Sequence, residues 1–290
     1  MSKKLALVVG INPDNYEIDD HRLRKPVWHQ KLEDGKLVGS GLLQELDEIK
    51  IENKRLTYFQ PNNIALLLSI SKKNLTKAEF FFKEKFKNSI NNLEVEHSKG
   101  DKKKFVGKKS IDICDYIELI EISIVFSYTA IEAFANISIP KDYNYDFKNK
   151  TKSIFEKYDK FAIERWIPLK EKISIILPKI YKVNKPTQKK WWNDFTKLEN
   201  FRHCIIHQKS IESTDFYKKY FETDVFKICG VAEQVIKYFH DETAKRQKTN
   251  KMWPWLTKEK REFPISFEFD ELNAEVTGNL YEGFKGKGKK

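Results

Sequence analysis

Apolar positions change their period twice along the chain. Leu5-Ala6-Leu7-Val8-Val9 is a short continuous apolar run that stops at Asn12-Pro13-Asp14. It predicts a buried strand from Lys4 to Ile11, not a secretory leader, because no small-residue cleavage pattern follows. Leu32 to Val38, around Asp34-Gly35, predicts a hairpin. Leu42, Leu43, Leu46 and Ile49 suit a short helix over Leu42 to Ile51, with a strand as the alternative. From Pro61 the spacing turns helical. Asn62-Asn63 can cap a helix through Ile64 to Ser69, and Phe80, Phe81, Phe82, Phe86 and Ile90 recur at helical spacing after Leu75-Thr76. Glu96 to Lys109, with Gly100, Gly107 and many lysines, predicts a basic loop.

The best-defined element runs from Ile111 to about Ile139, free of Pro and Gly until Pro140. Ile117, Ile120, Ile124, Ile131 and Phe134 form one stripe, and Glu121, Val125, Tyr128, Glu132 and Asn136 an adjacent one. A helix apolar on several sides belongs at the centre of a bundle. Short helices are expected at Thr151 to Phe161 and at Leu169 to Leu177, broken by Pro168 and Pro178. A further helix covers Lys189 to His207, and a last long one Thr214 to Ala244. Phe263, Ile265, Phe267 and Phe269 alternate as a strand that can pair with the N-terminal strands. The expected fold is therefore mainly α: a mixed β-rich segment over 1–60, a helical bundle over 61–250, and a C-terminal strand with a basic tail, Gly286 to Lys290, over 251–290. The N- and C-terminal segments would form a small β-rich subdomain.

Composition adds little to fold but something to partners. The 290 residues are 40% hydrophobic and 33% charged, a globular balance. Formal net charge is +12, a field that attracts polyanions such as RNA, DNA or an anionic membrane without choosing among them. Cys114, Cys204 and Cys229 are odd in number, far apart and without a CxxC pair. That predicts reduced thiols in a cytoplasmic protein, with neither disulfide scaffold nor zinc ribbon. No run approaches the length of a membrane helix. There is no Walker loop, GxGxxG or GxSxG.

Candidate chemistry concentrates in Arg202-His203-Cys204-Ile205-Ile206-His207. Trp191, Phe195, Leu198, Arg202 and Ile205 follow a 4-3-4-3 spacing, which is a core-facing seam. A guanidinium in such a seam is costly unless it is paired or faces a wet pocket. His203 and His207, four apart, share a neighbouring face. Arginine can grip a phosphate through two nitrogens, and imidazole can give or take a proton near neutrality. The bland alternatives are an Arg202 bridge to Glu132 or Glu199, structural histidines, or a metal held by the histidine pair without further ligands nearby. His21, Arg22, Arg24, Lys25, Trp28 and His29 form a basic, aromatic stretch that could contact RNA or simply be solvated.

This run resembles the Arg, polar residue, three variable residues, His signature of the HEPN superfamily. Tyr128 to Asn136 also resembles that family's helix carrying an acidic residue near the active arginine. The resemblance covers about residues 62–247 and implies a HEPN-like helical bundle and a metal-independent endoribonuclease needing no cofactor. It implies that Arg202 binds phosphate, His207 acts as acid–base residue, His203 assists and Glu132 orients Arg202 by an ion pair. It further implies a homodimer with a composite cleft, RNA as substrate, a toxin or phage-defence role, and an antitoxin or defence partner. Where some such toxins carry a modifiable Tyr, this chain has Lys209, so that control is not expected. A non-catalytic RNA- or protein-binding module is the competing expectation, and a scaffold with a basic surface is a third.

Overall fold

The structure is a computed structural model; it describes residues 4–12, 14, 16–90, 100–149, 154–208, 210–211, 214–245, 250–255, 263–267, 274–279 and 283–284. In chain order the elements are β1 (Lys4–Gly10), β2 (Val27–Glu33), β3 (Lys36–Ile51), β4 (Lys54–Phe59) and α1 (Asn63–Phe82), which runs into a π turn (Lys83–Lys87). Then come α2 (Lys102–Ser138), β5 (Tyr145–Asn149), β6 (Ile154–Tyr158), α3 (Lys160–Trp166) and α4 (Leu169–Glu171). A second π turn (Lys172–Ile176) leads into α5 (Leu177–Tyr181). α6 (Trp192–Ile206), a 3-10 turn (Asp215–Phe221), α7 (Val225–Cys229), α8 (Val231–Ala244), β7 (Ile265–Ser266), β8 (Ala274–Asn279) and β9 (Gly283–Phe284) complete the chain. Two units divide it: Met1–Leu66 with Phe239–Lys290, and Leu67–Tyr238.

The first unit holds a seven-stranded mixed sheet in the order β7-β2-β3-β1-β8-β9, with β4 also on β3. Asp34 and Gly35 both have positive φ, 49° and 74°, which gives the β2–β3 turn the twist that a two-residue hairpin needs. β1 runs antiparallel to β3 and parallel to β8, and β2 runs parallel to β7. Leu42, Gln44 and Leu46 are all buried, a period of two that points one face of β3 into a core with Leu7, Val9, Tyr16, Trp255 and Phe263. The Tyr16 hydroxyl donates to the Gln44 side-chain oxygen at 3.0 Å, so the polar residue on that face is satisfied.

The second unit is built around α2. Asp101 caps it by accepting the Lys104 amide at 3.1 Å, and it ends just before Pro140. Ile120, Ile124, Ala130, Ile131 and Phe134 are at most 1% exposed. Each large apolar side chain so buried contributes about 1.5–3 kcal/mol. Hydroxyls tie α2 to its neighbours: Ser127 Oγ donates to the Cys229 carbonyl at 2.8 Å, and Tyr116 Oη to the Tyr220 carbonyl at 2.8 Å. α2 packs on α6 and α7. β5 and β6 form a separate antiparallel pair.

The expected mainly α fold, a HEPN-like bundle with a small β-rich subdomain, is overturned: the chain is an α/β mix with an extensive mixed sheet. The helical reading of Leu42 to Ile51 failed because it counted Ile49 as core, whereas Ile49 is exposed and Gln44 is buried. Thr151 to Phe161 contains strand β6, and its helix starts only at Lys160, where Asp159 accepts the Ala162 amide at 2.8 Å. The basic stretch after Asp101 is helical, since lysine is a good helix former and Gly107 costs only about 1 kcal/mol. Pro178 does not end its helix. The preceding π turn shifts the bonding so that the Leu177 amide reaches the Lys172 carbonyl, which opens the ladder where the proline ring would clash. The expected long helix from Thr214 to Ala244 is three pieces: the 3-10 turn Asp215–Phe221, then α7 and α8, which part at Gly230. The tail Gly286 to Lys290, Phe269 and Glu96 to Lys99 lie outside the described residues.

Candidate functional site

α6 places the motif. Phe195 and Leu198 are fully buried and Trp191 nearly so, as the seam requires. Phe201 stands edge-on to Tyr220 with centroids 5.4 Å apart, which fixes the rotation of the last turns. Arg202 is half-buried on the seam, facing α2. α6 stops at Ile206: the His207 amide still bonds the His203 carbonyl at 3.0 Å, but His207 has φ −118° and ψ 38°. Both histidines are exposed, and their ring centroids lie 4.7 Å apart. At a helix C-terminus the carbonyl dipoles favour a cation, so the nearby guanidinium is supported there.

Arg202 does not pair with Glu132: no ion pair joins them among the described residues. The guanidinium carbon instead lies 5.1 Å from the ring centroid of Tyr128, a cation–π arrangement. Glu199, one turn before Arg202 on α6, is near enough for its charge to act on the Tyr128 hydroxyl. Burial pushes the phenol well above its usual range, the charges of Glu199 and Glu132 push it further, and Arg202 opposes them. The Glu199 carboxyl is raised by burial, against the opposing pull of Lys170, the Tyr128 hydroxyl and His203.

Glu132 faces a different cation. Lys172, buried in the second π turn, has its ammonium depressed by desolvation and supported by the charges of Glu132 and Glu164. Its Nζ donates to Asn136 Oδ1 and to the Glu164 carbonyl, each at 2.9 Å. Glu132 thus stands between two demands, near enough to act on both Tyr128 and Lys172. Of the four candidate residues, Arg202, His203 and His207 sit together at the end of α6. Among the described residues Glu132 is not ion-paired with them; its charge acts on Tyr128, the ring against Arg202.

Sequence reasoning passed over Tyr128, Lys170, Lys172 and Asn136 as site residues. Tyr128 lay on the stripe with Glu132 and Asn136, which was the available signal. The basic stretch at residues 21–29 is mostly engaged internally. Arg22 pairs with Asp20, Arg24 bonds Glu45 at 2.9 Å, and Lys25 is buried over the Trp255 ring. His29 is half-buried, and that burial lowers its imidazole. Arg24, Lys25 and His29 are thus taken up in the first unit, whereas His21 and Arg22 stay exposed at its surface. Lys209 lies outside the described residues. Among the described residues, no group of three or more His, Cys, Asp or Glu side chains could hold a metal ion, and no helix is long and apolar enough to cross a membrane. No protein-family model matches the chain, and neither the curated proteins nor the solved structures contain a significant match.

Proposed function

We propose that the chain is a cytoplasmic endoribonuclease that cleaves RNA through Arg202, His203 and His207. The observation that carries the reading is the exposed imidazole pair, 4.7 Å apart, at the end of the helix that holds Arg202. The HEPN-type spacing of the motif supports the same chemistry. In this reading the RNA's own 2′-hydroxyl attacks the adjacent phosphorus. His207 accepts its proton, the bond to the 5′-oxygen breaks, and His203 delivers a proton to that leaving oxygen. Arg202 stabilises the charge building on the phosphate. The net charge of +12 draws RNA to the surface. A toxin or anti-phage role, a homodimer with a composite cleft, and an antitoxin or defence partner belong to the same proposal.

The test is direct. Purified protein is incubated with single-stranded RNA in EDTA, and the ends are identified. Expected products carry a 2′,3′-cyclic phosphate or its 3′-phosphate, with a 5′-hydroxyl opposite, and a 2′-deoxy substitution at the scissile position blocks cutting. Strict dependence on a divalent ion would defeat the metal-independent mechanism.

A second reading is favoured by one observation. Arg202 is already laid on Tyr128, a structural use of the guanidinium. A non-catalytic RNA- or protein-binding module would show RNA binding without cutting under any condition.

A further inference from the structure

The end of α1 departs from regular helical geometry. Lys83–Lys87 forms a π turn, and wide turns of this kind often accompany binding sites because the extra residue re-aims side chains. Here Phe86 is buried while Lys87 stays exposed. Phe86 packs against Phe82, Tyr116 and Phe221 at centroid distances of 5.9, 5.7 and 5.5 Å, and Tyr116 lies 4.9 Å from Phe221. Tyr116 is itself pinned by its bond to the Tyr220 carbonyl. The rings are therefore mutually fixed.

Phe82, Phe86 and Phe221, backed by Tyr116, form the wall of an open cavity of about 550 Å³ in the second unit, completed by Ile90 and Ile113. That volume falls in the range that holds a drug-sized ligand. Because the wall is interlocked, it cannot relax to fill the space, and its apolar surface stays hydrated until an apolar group displaces that water. The polar residues of the lining are few: Thr223, Lys87 and Lys109, the last with its ammonium 5.8 Å from the Phe105 ring centroid and free to swing to the rim. Lys85 is matched by Asp112 at 3.5 Å, whereas Lys87 and Lys109 have no carboxylate partner among the described residues. One hydroxyl and two cations are too few to read the edge of a nucleobase. An apolar chain ending in an anion satisfies the whole lining.

We propose that this cavity binds a single-chain amphiphilic anion, a fatty-acid carboxylate, with its alkyl chain against Phe82, Phe86 and Phe221 and its head group at Lys87 and Lys109. This is independent of the reading of the α6 site. The experiment uses the full chain and dansyl-undecanoate as fluorescent probe. Saturable binding, displaced by laurate and much less by methyl laurate, is the expected result. Ile90→Glu, at the exposed mouth where folding is not at stake, should weaken binding on the order of tenfold or more by placing a carboxylate beside the chain. Lys87→Glu with Lys109→Glu should erase the preference for laurate over its methyl ester. Absence of saturable binding overturns the proposal. So does equal displacement by acid and ester, or displacement by a short oligoribonucleotide and not by laurate.

Discussion

Arg202 lies over the ring of Tyr128, its guanidinium carbon 5.1 Å from the ring centroid, and the charge of Glu199, on Arg202's own helix, acts on the Tyr128 hydroxyl. The arrangement is a clasp between α2 and α6, since a ring of one helix carries the guanidinium of the other. Tyr128→Phe keeps the ring and removes only the hydroxyl, so unfolding in urea should show a small loss, at most about 0.5 kcal/mol. Tyr128→Leu also removes the ring face and should cost more. Equal effects would mean that the cation–π contact contributes nothing.

Glu199 carries a pH signature. Burial raises its carboxyl, so the folded state prefers the protonated form relative to the unfolded chain. Its contribution is fully present below the ordinary carboxylate range and fades as pH rises through the raised value. Glu199→Gln should therefore improve the urea midpoint at neutral pH relative to the parent and lose that advantage in acid. A parallel shift at every pH would show that Glu199 is not the group responsible.

Lys172 is buried with two hydrogen bonds and a nearby carboxylate. Lys172→Met should destabilise by about 1–3 kcal/mol, because Asn136, the Glu164 carbonyl and Glu132 lose their cation. Adding Glu132→Gln should recover part of that loss, and the coupling is read from a double-mutant cycle in denaturant. Simple additivity would place Glu132 and Lys172 outside each other's reach.

The histidines separate chemistry from folding. His207 is exposed, so His207→Ala should leave the melting temperature nearly unchanged while lowering cleavage by about 10²–10⁴-fold. Arg202→Ala should weaken both cleavage and stability, since it leaves the Tyr128 face bare. Cleavage unaffected by His207→Ala would remove it from the mechanism.

A composite dimer makes a sharper demand. If one protomer supplies arginine and the other histidine, mixing Arg202→Ala and His207→Ala proteins should restore part of the activity that neither has alone. Absence of complementation, with subunit exchange shown by light scattering or mass, would assign both groups to a single chain.

The seam of α6 was readable because it is periodic: Trp191, Phe195, Leu198 and Arg202 repeat at spacings that force one face inward. What Arg202 meets there was not readable, because the rotation of α2 decides it, and that rotation brought Tyr128 forward and turned Glu132 toward Lys172. Lys172 reaches its position through a π turn, and nothing in Lys172-Ile173-Ser174-Ile175-Ile176 announces a wider turn. In the sheet, a buried glutamine misled the eye. Gln44 interrupts the apolar alternation of β3, and only distant partners, the Tyr16 hydroxyl and the Arg24 carbonyl, make it a good inward residue.

β3 also serves three partners at once. Its first half pairs with β2, its second half with β4, and Leu42 to Leu46 pairs with β1. Leu46 has both Leu5 and Phe59 as register partners, one on each side. A residue inserted between Leu43 and Leu46 would shift β2 against β4 and flip the inward face for everything after it. The β2–β3 hairpin tip, by contrast, can lengthen two residues at a time without disturbing any other ladder. Natural variation in length among descendants of this chain should therefore gather at Glu33 to Lys36 and avoid the centre of β3.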